Sequence, residues 1–239
     1  TGIKAREQRL FAGTVPCDDD LPKAALAAGG VSALTLVRRC PLQAMWLELV
    51  QVSWQRLCDA PLAIRSDSEV VMAAVEQKGM ALAFAAESLR EDPDIVHAAV
   101  ERDGTMLTYA GPGLKADKRV VLAAVKQNGC ALKYANHALR CDREVVMAAV
   151  EQYGETLENA DESLRADFLV VMAAVQQSGR ALAAASPLLQ ADLKIVIAAV
   201  TQDRRALQHA ARDLQSNPLV TQAAKHSRSS IQARRVRYS

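Results

Sequence analysis

One 25-residue pattern returns six times without insertion or deletion, opening at Asp67, Asp92, Asp117, Asp142, Asp167 and Asp192. A fading seventh copy starts at Asn217. A strict period of this length restricts the chain to an array, because each copy is one supersecondary unit that buries its apolar face only by stacking on its neighbours. The clearest form of the unit reads D-x-x-V-V-M-A-A-V-x-Q-x-G-x-A-L-x-x-A-x-x-x-L-R-x.

Within a unit the apolar pairs Val70/Val71 and Ala74/Val75, with their copies, fall at i, i+1, i+4, i+5, one face of a helix. The opening Asp suits the N-cap, where a carboxylate accepts a free backbone N–H and meets the positive helix end. Gly79, Gly104, Gly129, Gly154 and Gly179 follow about a dozen residues later, where a glycine in the left-handed conformation ends a helix. Arg204 replaces that glycine in the sixth copy, which predicts a looser turn there. A second, shorter helix carries Leu82, Ala85 and Leu89 on its inner line, repeated through to Leu207, Ala210 and Leu214. Helices this short do not hold alone in water. The predicted fold class is therefore all-α, an α-solenoid of stacked two-helix repeats over residues 67–216.

The flanks are less regular. Residues 1–21 read as a polar N-terminal arm with a turn or two of helix between Lys4 and Phe11. Residues 22–66 read as a helical cap. Pro22 to Ala28 is its first helix, Leu34, Leu36 and Val37 suggest a second, and Pro41 opens a third with an inner line from Leu42 through Met45, Trp46, Leu49 and Val50 to Leu57. Trp46 and Trp54 lie here, outside the repeat; covering the open end of the first unit explains them more simply than a docking surface does. Residues 217–239 are a partial repeat and a basic tail carrying Arg228, Arg234, Arg235 and Arg237.

Net charge is +2 overall, but residues 67–216 carry −5 and the tail from Asn217 carries +5. A basic tail on an acidic body is the main electrostatic asymmetry. The five cysteines form no CxxC pair and no Cys/His cluster with zinc spacing, which reads as a reducing intracellular compartment. No apolar run reaches the length of a membrane span.

The unit D-x-x-V-V-x-A-A-V-x-x-x-G-x-A-L-x-x-A-x-x-x-L-R resembles the family labelled domain of unknown function 4116, over Asp67 to Gln215. That resemblance implies a helical repeat with an interaction role and supplies no catalytic residue. Such repeats are common in algae, dinoflagellates and other protists. With Thr1 read as a processed end in such a source, the resemblance points to a chloroplast or other organellar assembly, such as a photosystem supercomplex.

None of the phosphate-binding, nucleophile-elbow or metalloprotease motifs is present, and no cofactor is implied. His97 stands where other units place an apolar residue and reads as a buried, satisfied histidine. Arg90, Lys115, Arg140 and Arg165 occupy one place in four successive units. Helix closure at the negative end explains that basic row more simply than a phosphate ladder. Phe84, Tyr109 and Tyr134 form an aromatic column that becomes Asn159, Ala184 and His209. The sequence thus predicts a non-enzymatic scaffold binding other protein subunits of a larger complex, with peripheral membrane contact through the tail arginines. The alternative is an RNA-binding repeat protein that uses the basic row and the tail.

Overall fold

The structure, a computed structural model, describes residues 8–12, 15–17, 34–38 and 40–227. The first three segments are strands β1 (Gln8–Ala12), β2 (Val15–Cys17) and β3 (Leu34–Arg38), in an antiparallel sheet of order β2-β1-β3. Leu10 lies opposite both Cys17 and Leu36. This corrects the helical readings of Lys4–Phe11 and of Leu34, Leu36 and Val37. Apolar runs this short do not separate a period of 2 from one of 3.6, and Thr35 and Val37 are β-branched. The helix expected at Pro22–Ala28 lies outside the described residues.

From Pro41 onward one order of elements recurs: a first α-helix, a six-residue 3-10 helix and a one-turn α-helix. The third repeat shows it as Lys118–Gln127, Gly129–Tyr134 and His137–Arg140. The second helix of the sequence reading is therefore two pieces. Gly79 and Leu82, three apart, lie along one edge of the 3-10 helix, Ala85 caps its end, and all three are buried. Pro41–Val52, Trp54–Asp59 and Leu62–Arg65 follow the same order, so the part of the expected cap from Pro41 to Arg65 has the element order of a repeat with divergent sequence. The last helix among the described residues, Pro218–Lys225, packs on Leu193–Gln202.

Each of the six opening aspartates caps its helix as expected. Asp117 Oδ1 accepts from the Arg119 N–H at 2.7 Å and the Val120 N–H at 3.3 Å. Val70, Val71, Ala74 and Val75 are fully buried, as are nearly all their copies. The glycines act differently from the expectation. None of those starting a 3-10 helix has a positive φ; the α-helix is ended by the extended residue before it, such as Lys78 at φ −152°. Glycine is needed for approach: a Cβ on Gly79 would stand 2.7 Å from the Ala99 carbonyl oxygen of the next unit. Arg204 starts the same 3-10 helix as the glycines do, with its side chain exposed, so the looser turn expected there is absent. The first helix of the next unit is shorter by two residues than its counterpart in the sixth, Pro218–Lys225 against Leu193–Gln202.

Two bonded rows tie unit to unit. Backbone N–H groups of Ala86, Gly111, Asn136, Asp161, Ser186 and Ala211 donate to the carbonyls of Arg65, Arg90, Lys115, Arg140, Arg165 and Gln190, at 2.8–3.0 Å. A glutamine clasp forms the second row. Gln177 Oε1 accepts from the Gly154 N–H at 2.6 Å while its Nε2 donates to the Gln152 carbonyl at 3.2 Å. Gln127 and Gln202 make the same clasp, each to the unit before its own: Gln127 to the Gly104 N–H and the Arg102 carbonyl, Gln202 to the Gly179 N–H and the Gln177 carbonyl. Such bonds fix the register of stacking more than they add to net stability, at about 1 kcal/mol each. Among the described residues no helix is long and apolar enough to cross a membrane.

Candidate functional site

With the backbone of every unit built alike, the 3-10 helices form a continuous ribbon. Three positions per unit on it vary freely: Met80/Ala83/Phe84, Thr105/Thr108/Tyr109, Cys130/Lys133/Tyr134, Glu155/Glu158/Asn159, Arg180/Ala183/Ala184 and Arg205/Gln208/His209. Its first half is aromatic. Phe84, Tyr109 and Tyr134 are half-buried and pack on the core, and the Lys133 ammonium sits 4.7 Å from the centre of the Tyr134 ring. Contact with Tyr134 pushes the Lys133 ammonium above its ordinary value.

The second half of the ribbon is charged and open. Where the aromatic column lapses to Ala184, a shallow groove of about 310 Å³ appears, lined by Glu155, Glu158, Arg180, Ala184, Arg205 and His209. Both charge signs line it, and Arg180 Nε lies 3.6 Å from the Asp203 carboxylate. At its margin the Tyr153 hydroxyl donates to Glu155 at 3.1 Å, which raises the phenol above its usual range.

The basic row turns inward. Arg90 Nε donates to the Ala85 carbonyl at 3.0 Å and Lys115 Nζ to the Thr108 carbonyl at 2.8 Å, each closing its own unit's 3-10 helix. Gln190 donates to Leu182 and Ala183, and Gln215 to Ala210, from the same place. Arg140 and Arg165 occupy it too, their Nε atoms buried without a hydrogen-bond partner, and Arg65 extends the column into the first unit. Trp46 is half-buried against the core, and Trp54 lies against Phe84 with ring centroids 6.3 Å apart. Both tryptophans are thus engaged with the array. Arg228, Arg234, Arg235 and Arg237 lie outside the described residues. His97 corrects its reading: its side chain is half exposed, with Nδ1 3.5 Å from Glu101, because the column it shares with Met72 and Met147 lies at the edge of the core.

One group of side chains escaped the sequence reading. His137 and Cys141 flank the one-turn helix of the third repeat, and the bonded row sets Asp161 of the fourth beside them. His137 Nε2 is 3.5 Å from Asp161 Oδ2, and Cys141 Sγ is 3.7 Å from His137 Nδ1. Partial desolvation, with the Asp161 charge, raises the Cys141 thiol, while donors from the Ser163 backbone and hydroxyl hold Asp161 below the usual carboxylate range. The four-residue spacing of His137 and Cys141 was visible in the sequence; the third member, twenty residues on, was not.

The profile of a family described as "Domain of unknown function (DUF4116)" matches residues 67–115, 92–140, 117–165 and 167–215 in tandem. No curated protein and no solved structure matches the chain.

Proposed function

We propose, on the premise that this chain belongs to the DUF4116 family of tandem repeats, that it is a non-enzymatic scaffold whose 3-10 ribbon docks other proteins. The observation that carries this reading is the split between framework and surface. Caps, core and the backbone row recur from unit to unit, and the glutamine clasp at three junctions, whereas the three outward positions of the ribbon change in size, charge and polarity. Half-buried aromatics beside a groove of mixed charge suit a protein surface, where aromatic and arginine anchors carry affinity within a polar rim. An RNA-binding face calls for a basic stripe; in the row here Arg90 and Lys115 are spent on backbone carbonyls, and Gln190 and Gln215 replace the basic residue in the last two units. We further place the chain as a peripheral subunit of a larger assembly, an organellar one such as a photosystem supercomplex in an algal or dinoflagellate source.

The test is photo-cross-linking from single ribbon positions, Thr108 and Ala183, against Glu76 and Glu151 on exposed parts of the first helices. Defined protein partners captured from the ribbon positions, unchanged by nuclease, support the reading. Capture that vanishes with nuclease, and affinity that falls steeply with salt, would replace it with the RNA reading.

A further inference from the structure

We infer that His137, Cys141 and Asp161 form a zinc site that staples the third repeat to the fourth. One ligand atom from each of the three lies within 4.8 Å of the other two. Tetrahedral zinc, with bonds of about 2.3 Å to sulfur and about 2.0–2.1 Å to nitrogen and oxygen, places its ligand atoms about 3.3–3.6 Å apart. The distances of 3.5 Å between His137 and Asp161 and 3.7 Å between Cys141 and His137 already approach those edges. Two different imidazole nitrogens face the two partners, so metal binding requires the ring to turn and offer one of them. The His137 side chain is 71% exposed and turns without displacing the core.

Two features preorganise the set. The Asp161 N–H donates to the Arg140 carbonyl at 3.0 Å, so the backbone row itself delivers Asp161 to the residue between His137 and Cys141. Asp161 Oδ1 is committed to the Ser163 N–H at 3.0 Å and the Ser163 hydroxyl at 2.7 Å, which orients the carboxylate and leaves Oδ2 facing His137. Outer partners that hold a ligand in this way matter to metal affinity. Thiolate, imidazole and carboxylate together are a borderline donor set suited to zinc rather than to magnesium or calcium. The remaining coordination opens to a cavity of about 360 Å³ that also holds Glu158, Glu162, Arg140 and Arg165, and water completes the shell.

No other junction of the array repeats this chemistry. Across the repeats, the His137 column reads Glu87, Pro112, His137, Glu162, Pro187, Arg212, and the Cys141 column reads Glu91, Ala116, Cys141, Ala166, Ala191, Ser216. Asp161 has Asn136 as its counterpart, which caps its helix from the same place by accepting the Ala138 N–H at 3.0 Å. The sequence therefore supplies substitutions that the framework tolerates: Cys141→Ala and Asp161→Asn each install a residue that another unit carries at that position.

The experiment titrates zinc into the metal-stripped full chain against a chromogenic chelator, with cobalt as a spectroscopic probe and far-UV circular dichroism as a check on folding. One zinc per chain, a cobalt–thiolate charge-transfer band, and a higher thermal midpoint with zinc are expected. Cys141→Ala should abolish the band, and each of the two variants should weaken zinc at least tenfold and remove the thermal shift. Cys40→Ala, at an exposed position away from the cluster, should change none of these. Folded Cys141→Ala and Asp161→Asn chains that keep wild-type zinc affinity would overturn the site, as would a wild-type chain that gives neither the band nor the shift.

Discussion

The contact between successive units can be probed by adding one methyl group. A Cβ on Gly129 would lie 2.5 Å from the Ala149 carbonyl oxygen and 3.2 Å from Gln152 Cβ, both in the following unit. Ordinary carbon–oxygen contact needs more than 3 Å, and the obstructing atom is backbone, so the third and fourth repeats must separate by roughly half an ångström or more. Overpacking of this kind costs about 1–3 kcal/mol. Gly113 provides the control: a Cβ there meets nothing within 4 Å, and it sits inside the short helix Pro112–Lys115. Gly113→Ala should therefore stabilise, by up to about 1 kcal/mol, through reduced freedom of the unfolded chain. For a chain of this size, thermal midpoints move about 2–4 °C per kcal/mol. Gly129→Ala should melt roughly 2–12 °C below wild type and Gly113→Ala at or above it, as read by far-UV circular dichroism. A Gly129→Ala chain melting with wild type, or both variants falling together, would refute close approach as the reason for glycine at this position.

Three further substitutions test the other ties. Gln177→Leu removes both halves of the clasp to Gly154 and Gln152, and urea titration should show a loss of about 1–2 kcal/mol. Asp117→Ala should cost about 1 kcal/mol by the same measurement, and Asp117→Asn much less, since asparagine also caps. Arg90→Ala should destabilise by about 1 kcal/mol through loss of the bond to Ala85, whereas Arg90→Gln should recover most of it; equal loss in both would mean that charge, not donation, is what the position requires.

Much of this architecture was legible because it rests on local rules applied at a fixed interval. The aspartate caps and the Val-Val/Ala-Val face needed only a helix start and a helical period. The 3-10 helix was not legible, because Gly79, Leu82 and Ala85, spaced three apart, fit one edge of either helix type. The role of the first unit was hidden by Trp54, which takes the place of the repeat glycine and left only the element order to reveal the match. The glutamine clasp was written in the pattern, yet its partners lie 23 to 25 residues away and follow only from the stacking register. The cluster of His137, Cys141 and Asp161 depends on the same register, which no spacing within one unit discloses.

Repetition also supplies an internal comparison that separates two kinds of variation. The column Arg90, Lys115, Gln190 and Gln215 changes residue type while keeping one task, donation to a carbonyl of its own unit. At these four positions a donor on a long side chain suffices, with or without a positive charge, whereas Arg140 and Arg165 stand in the same column with their Nε atoms unbonded. The ribbon column Phe84, Tyr109, Tyr134, Asn159, Ala184 and His209 changes without a shared bond or a shared size, and the groove opens where it becomes small. The framework accepts an aromatic ring packed on the core at Phe84, Tyr109 and Tyr134 and does without one at Asn159, Ala184 and His209. On the proposed scaffold reading that latitude is where a partner's contacts would act, so the ribbon is the surface on which a partner should be sought.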